Sequence, residues 1–386
     1  MRRTSAAGTR RGGGDRAKGR DVDVSAAAHR PSSPDDGGRE RYLDLIRVVA
    51  LVRVVVYHTT GWLWLSALFP AMGLMFGIAG CLMARSLDRG GPRAVGSRLA
   101  RLLPPFWLYG VVAVTLMLLA GWRPSTSGSL GWGGLAWWLL PLRVPPAGGP
   151  AWSWLLTIAL WYISTYLWLV LLSPIMRPLF RRRPWCTLGV ATAVAVGVNA
   201  TDLDLPGYFV LTYTPCWLLG FARRDGLLHR IPGRAFAYGV GILGAVGGIW
   251  MLVGARAGTF GTDDAGGGNV LWSLALVAVV LRCRFRLDRL ADNRRAGRAL
   301  RAVNSRAVTV YLWHLPAGAL AGVLVEGRST GHLPLRIAGT VLLTASAVLL
   351  FGWAERWRAR RVPPSRPRAP ARPDTARSQP LSRPED

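Results

Sequence analysis

The sequence predicts an all-α, polytopic membrane protein of about ten transmembrane helices, with both termini in the cytoplasm. Three observations carry this. Of 386 residues, 51% are hydrophobic, and the mean hydropathy is +0.26. The apolar residues gather in repeated runs close to the twenty that span a bilayer as a helix. The basic residues crowd into alternate connections, while the others hold only Arg123, Arg143, Arg256, Arg328 and Arg336. Placing the crowded side in the cytoplasm fixes the orientation. The net charge of +28 would suit a nucleic-acid partner. Here the charges fall between apolar runs, so the partner they indicate is a lipid bilayer and not nucleic acid.

Residues 1–41 are rich in Arg, Gly, Ser and Asp without periodicity and are expected to be disordered. The membrane domain is expected over 42–355. Its helices are predicted over about 43–65, 69–86 (opened by Pro70), 104–121 (opened by Pro104 and Pro105), 152–172, 185–200, 208–222, 235–254, 270–281, 307–325 and 335–353. Residues 85–101 read as a basic loop and 122–150 as a long Gly- and Trp-rich one. The Arg/Pro-rich tail, 356–386, is expected to be a second disordered cytoplasmic segment.

The first predicted helix carries Asp44, Arg47, Arg53 and His58. Ionisable groups at membrane depth are costly and mark functional sites. Arg47 and His58 are eleven residues apart, almost three whole turns, so they share a face roughly 16 Å apart along the axis. Asp44 precedes Arg47 by three, the spacing of an ion pair on that face. Arg53 points elsewhere.

Cys81, Cys186, Cys216 and Cys283 form no C-x-x-C pair and lie in or beside apolar runs, which suits packing better than disulfides or zinc. No metal site is expected. H-E-x-x-H, Walker and G-x-G-x-x-G contexts are lacking, and the polar first forty residues have no signal-peptide core. Lys18 is the single lysine among 48 basic residues, a bias of GC-rich genomes that hints at an actinobacterial plasma membrane.

The Arg-x10-His pair, FPAMGLMFGIAGCLMARSL, RLARLLPPFW and VTVYLWHLP together resemble the acyltransferase-3 family of integral membrane O-acyltransferases. The resemblance covers roughly 41–355. It implies transfer of an acyl group from cytoplasmic acyl-CoA, as a co-substrate and with no permanently bound cofactor. The receiving group would be a hydroxyl of a carbohydrate, surface polymer or secondary metabolite. It also implies that Arg47 and His58 are the central pair, and that Arg98 and Arg101 contact the coenzyme phosphates. Many members have Ser-Gly where this chain has Ala79-Gly80, so a role for that serine is absent.

Imidazole suits a general base, and an acceptor hydroxyl needs one; His58 takes that role, with Asp44 orienting Arg47. Arg98 and Arg101 equally fit ordinary positive-inside charge. His314 fits a hydrogen bond to substrate, orientation of His58, or a structural bond between helices. Trp62, Trp64, Trp122, Trp132, Trp137, Trp138, Trp152 and Trp154 fit an interfacial belt or a stacking platform for a sugar, a cavity that Trp161 and Tyr162 would extend. The competing class is a transporter or flippase using Arg47 and His58 as a coupling site.

Overall fold

The computed structural model describes residues 34–124, 131–201, 205, 207–256, 266–283, 294–325 and 332–357. The chain divides into two units, Met1–Glu40 and Arg41–Asp386. The cavity and site lie in the second. The expected disorder of 1–33 and of the C-terminal tail from 358 falls outside the described residues; residues 34–41, also expected to be disordered, are helical.

Among the described residues there are no strands and ten helices of sixteen residues or more: α1 Pro34–Thr60, α2 Ala71–Gly90, α3 Arg93–Leu119, α4 Leu160–Arg182, α5 Pro184–Asn199, α6 Tyr208–Arg224, α7 Gly233–Arg256, α8 Gly266–Arg282, α9 Ala307–Val325 and α10 His332–Phe351. Among the described residues six spans are long and apolar enough to cross a membrane: Leu63–Gly90, Arg93–Leu119, Ala151–Arg182, Gly233–Arg256, Ala307–Val325 and His332–Phe351. The protein is an all-α, multi-pass membrane protein. Outward-facing Tyr238, Ile242, Leu342 and Leu349 are apolar and well exposed, a surface that hydrocarbon covers and water would not.

Several boundaries differ from the expectation. Helix α1 stops at Thr60 because Gly61 turns left-handed, with φ 71°; a short helix, Leu63–Leu68, follows. The predicted basic loop before Pro104 is helical, and α3 runs through Pro104 and Pro105, which are both buried. Two missing N–H groups do not stop a helix that packing inside the bundle holds on either side of them. The Trp-rich connection is also more ordered than a loop. It holds 3-10 turns over Trp132–Leu135 and Ala151–Leu156 and a helical turn over Ala136–Leu139. Trp107 and Trp168 donate their indole N–H to the carbonyls of Leu139 and Leu142, and the Tyr109 hydroxyl donates to Leu156. Trp122 and Trp138 are buried, so these two are core and not belt.

Helix α2 is the centre of the bundle. Gly73, Gly77 and Gly80 recur along one face and lie against Cys216, Trp217 and Gly220 of α6 and Ser273 and Val277 of α8. A Cβ at Gly80 would overlap the Trp217 carbonyl, and one at Gly220 would overlap the Gly77 carbonyl. Small residues let helix backbones touch where no hydrophobic drive separates helix from lipid. At one end of α2, α4 and α6, buried Arg177 bridges Asp88 at 3.2 Å and Asp225 at 2.7 Å, and Arg181 and Arg224 join Asp88 at 2.8 and 3.2 Å.

Gly220→Val should abolish a folded, monodisperse peak in fluorescence-detected size exclusion. Gly189→Ala, whose Cβ meets nothing within 4 Å, should keep the peak and hold or raise the melting temperature, since Ala favours helix over Gly by about 1 kcal/mol. Equal behaviour of the two would contradict the α2–α6 seam.

Candidate functional site

The site divides into an arginine-lined cavity and a histidine pair beyond it. A cavity of about 370 Å³ opens among α1, α2, α3, α4 and α9, a size typical of small-molecule sites. Asp44 and Arg47 of α1, Arg98 and Arg101 of α3, Tyr162 and Tyr166 of α4, Arg301 and Asn304 ahead of α9, and Glu355 after α10 supply its polar lining. Four guanidiniums therefore face two carboxylates. The surplus positive charge, partly screened from water, suits a polyanion.

Each arginine is held by a different local device. Arg98 and Arg101 sit three apart on α3, so one helical face carries both into the cavity. Arg98 donates one nitrogen to the Leu82 carbonyl at 3.0 Å and to Ser86 Oγ at 2.9 Å, which ties α3 to α2. Arg101 is exposed. Arg301 belongs to the helix Arg294–Asn304, whose last residue donates its amide N–H to the Asp44 carbonyl at 2.9 Å. Asp44 and Arg47 lie within electrostatic reach of each other, but the expected i,i+3 ion pair does not close. Both side chains turn into the cavity, where each meets other charges.

Glu355 was not singled out in the sequence, and neither were Arg301, Asn304 and Tyr311. Glu355 Oε1 accepts from the backbone N–H and the hydroxyl of Thr309, both at 2.6 Å, which pins the start of α9. Burial pushes its carboxyl above the usual range; the Thr309 bonds and the charges of Arg101 and Arg306 pull it back. No sequence periodicity connects Glu355 with Thr309, because the two meet through the return of α10.

The structure does not bring Arg47 and His58 into one cavity. Arg47 lines it; His58 does not. A row of rings connects the two regions instead. Tyr162 meets Tyr311 at 4.8 Å, Tyr311 meets His314 at 5.4 Å, and His314 meets His58 at 5.2 Å between centroids. His58 is exposed at the surface of the bundle, and His314 is 2% exposed. Arg53 lines no part of the cavity. It is buried, donates two nitrogens to the Leu65 carbonyl at 3.2 Å, and lies 5.1 Å from the Tyr57 ring.

Of the expected substrate contacts, Tyr162 lines the cavity. Trp161 stacks instead on Phe209 at 4.3 Å and on Tyr213 at 5.7 Å. Ala79 also lines the cavity, while its neighbour Gly80 faces the Trp217 backbone. Among the described residues, no three His, Cys, Asp or Glu side chains gather as metal ligands, and none of the four cysteines is in a disulfide.

A family model described as an acyltransferase domain matches residues 40–354. The chain belongs to the acyltransferase-3 family. The matched span runs from within α1 to beyond the end of α10. Comparison with curated proteins and with solved structures gives no match.

The two arginines of α3 should separate by stability. Arg98→Ala removes two hydrogen bonds between helices, each contributing about 1–3 kcal/mol when one partner is charged, and should lower the melting temperature by several degrees. Arg101→Ala should not. A thermal-shift assay in detergent reads both; equal losses would contradict the different holding of the two side chains.

Proposed function

We propose that this acyltransferase moves an acyl group from cytoplasmic acyl-CoA to a hydroxyl of a carbohydrate, surface polymer or secondary metabolite at the plasma membrane. The observation that carries the reading is the cavity lined by Arg47, Arg98, Arg101 and Arg301. Coenzyme A is a polyanion at one end and a thioester at the other, joined by a long flexible arm. Guanidiniums match phosphates by charge and by planar fork geometry. The roughly 16 Å between Arg47 and His58 along α1 suits an arm that lies past Tyr162 and Tyr311 toward the histidines.

The chemistry needs one base. A nitrogen lone pair of His58 takes the proton of the acceptor hydroxyl, and the oxygen attacks the thioester carbonyl. The C–S bond breaks, and the departing thiolate takes the proton from the imidazolium. The products are an ester and free coenzyme A. His58 is exposed at the surface of the bundle, which leaves it open to an incoming hydroxyl. Asp44 shares the cavity with Arg47 and sets its charge environment. On the orientation proposed from the loop charges, with ten crossings and both termini inside, the arginine-lined end faces the cytoplasm, where acyl-CoA is made.

Turnover in detergent tests the reading against a transporter, because solubilised protein has no two compartments. Purified protein supplied with labelled acetyl-CoA and an extract of carbohydrates and polar metabolites should release coenzyme A and label an acceptor. No turnover with any acyl-CoA would contradict it. Arg101→Ala and Arg301→Ala should each raise the KM for acetyl-CoA by about tenfold, the effect of losing a charge-assisted bond. Orientation is read in cells after Cys186 and Cys283 are replaced by Ala. Cysteines at Ser127, Asp202 or Asp264 should react with an impermeant thiol reagent, and those at Arg182, Arg224 or Arg295 should not.

A further inference from the structure

His314 has an unanswered hydrogen-bonding atom. Its Nδ1 lies 2.5 Å from the carbonyl of Tyr311, one turn back in α9. A carbonyl only accepts, so Nδ1 carries the hydrogen, and Nε2 is left with a bare lone pair. That Nε2 is buried and has no partner. A buried acceptor without a donor costs free energy, and a ring fixed so firmly by its own helix has no other tautomer that keeps the Tyr311 bond.

The group across from it is His58. The two ring centroids are 5.2 Å apart and the planes inclined by 47°. An N–H···N bond of about 2.9 Å between two rings of about 1.15 Å radius gives a centroid separation of roughly 5.2 Å. The ring separation is the one a linear bond between them requires; the bond is not made in the structure, and making it needs the His58 ring to turn a nitrogen toward Nε2. Tyr57 also touches His58, edge-on at 4.9 Å, and the cation of Arg53 lies near; neither offers a ring nitrogen a lone pair fixed in place.

We infer that His314 is a positioning residue for the transfer reaction: its Nε2 accepts the N–H of His58 and so presents the other His58 nitrogen, unprotonated, to the acceptor hydroxyl. This rests on the reading of His58 as the base. When His58 takes the hydroxyl proton, both its nitrogens carry hydrogen, and the bond to Nε2 becomes charge-assisted. His314 itself takes no proton. Glu355 contributes at a distance, since its bonds to Thr309 fix the first turn of the helix that carries Tyr311 and His314.

Two variants test this in the purified full chain with labelled acetyl-CoA and the acceptor extract. His314→Phe keeps a ring of similar size but has no acceptor. His314→Gln carries an amide oxygen near the position of Nε2. His314→Phe should lower kcat by about 10- to 100-fold, with the KM for acetyl-CoA within about twofold of wild type. His314→Gln should recover at least about tenfold of that loss. A ring needed for packing alone would move the melting temperature and would not distinguish oxygen from carbon. Wild-type kcat in His314→Phe, or equal losses in both variants, would overturn the proposal. His58→Gln run alongside separates the two claims: if it keeps wild-type transfer, the base assignment fails, whereas its loss together with an active His314→Phe overturns only the role of His314.

Discussion

A guanidinium or an imidazole within an apolar bundle must find its polar partners in protein, water or ligand, because hydrocarbon offers none. Helix α1 carries three such groups, and the architecture answers each differently. Arg53 is buried and finds the Leu65 carbonyl and the Tyr57 ring. Arg47 opens onto a cavity shared with three further arginines. His58 stays reachable from outside and stands beside His314. Only the first of these is a closed structural solution. The other two leave polar capacity unspent, and unspent capacity inside a membrane protein is where a ligand fits.

The rest of the fold holds those groups in register. The glycine seam of α2 brings α6 to backbone contact, which sets Ala79 at the cavity wall while Gly80 packs away from it. The Arg177 cluster fastens α2, α4 and α6 at one end. Glu355 fastens α9 from the far end of α10. Breaking one partner of a buried charge cluster costs about 3–5 kcal/mol, so these clamps are expensive to lose and keep the cavity walls fixed.

Much of this was legible in the chain. Each apolar run corresponds to a long helix among the described residues, and six spans are long and apolar enough to cross a membrane, because apolar length and loop polarity are properties of single segments. The family and the α1 stripe were legible for the same reason: Arg47 and His58 sit on one helix at a readable spacing. The helical path of residues 93–103 was missed because Pro104 reads locally as a helix start, while burial in the bundle overrides it. Glu355, Arg301 and Asn304 were missed because their partners lie far away in sequence: Thr309 for Glu355, the Asp44 carbonyl for Asn304. The Asp44–Arg47 pair was expected from spacing alone, and the cavity supplied both side chains with a different destination.

The central claim is a division of labour, with the donor held by the arginine-lined cavity and the proton handled at His58. It is tested most directly by measuring, on one preparation of His58→Gln, both the affinity for acetyl-CoA and the single-turnover rate of acyl transfer. The account predicts a Kd within about twofold of wild type and a transfer rate lower by a factor of about 10² to 10⁴. Wild-type transfer, or a loss of rate fully explained by lost binding, would contradict it.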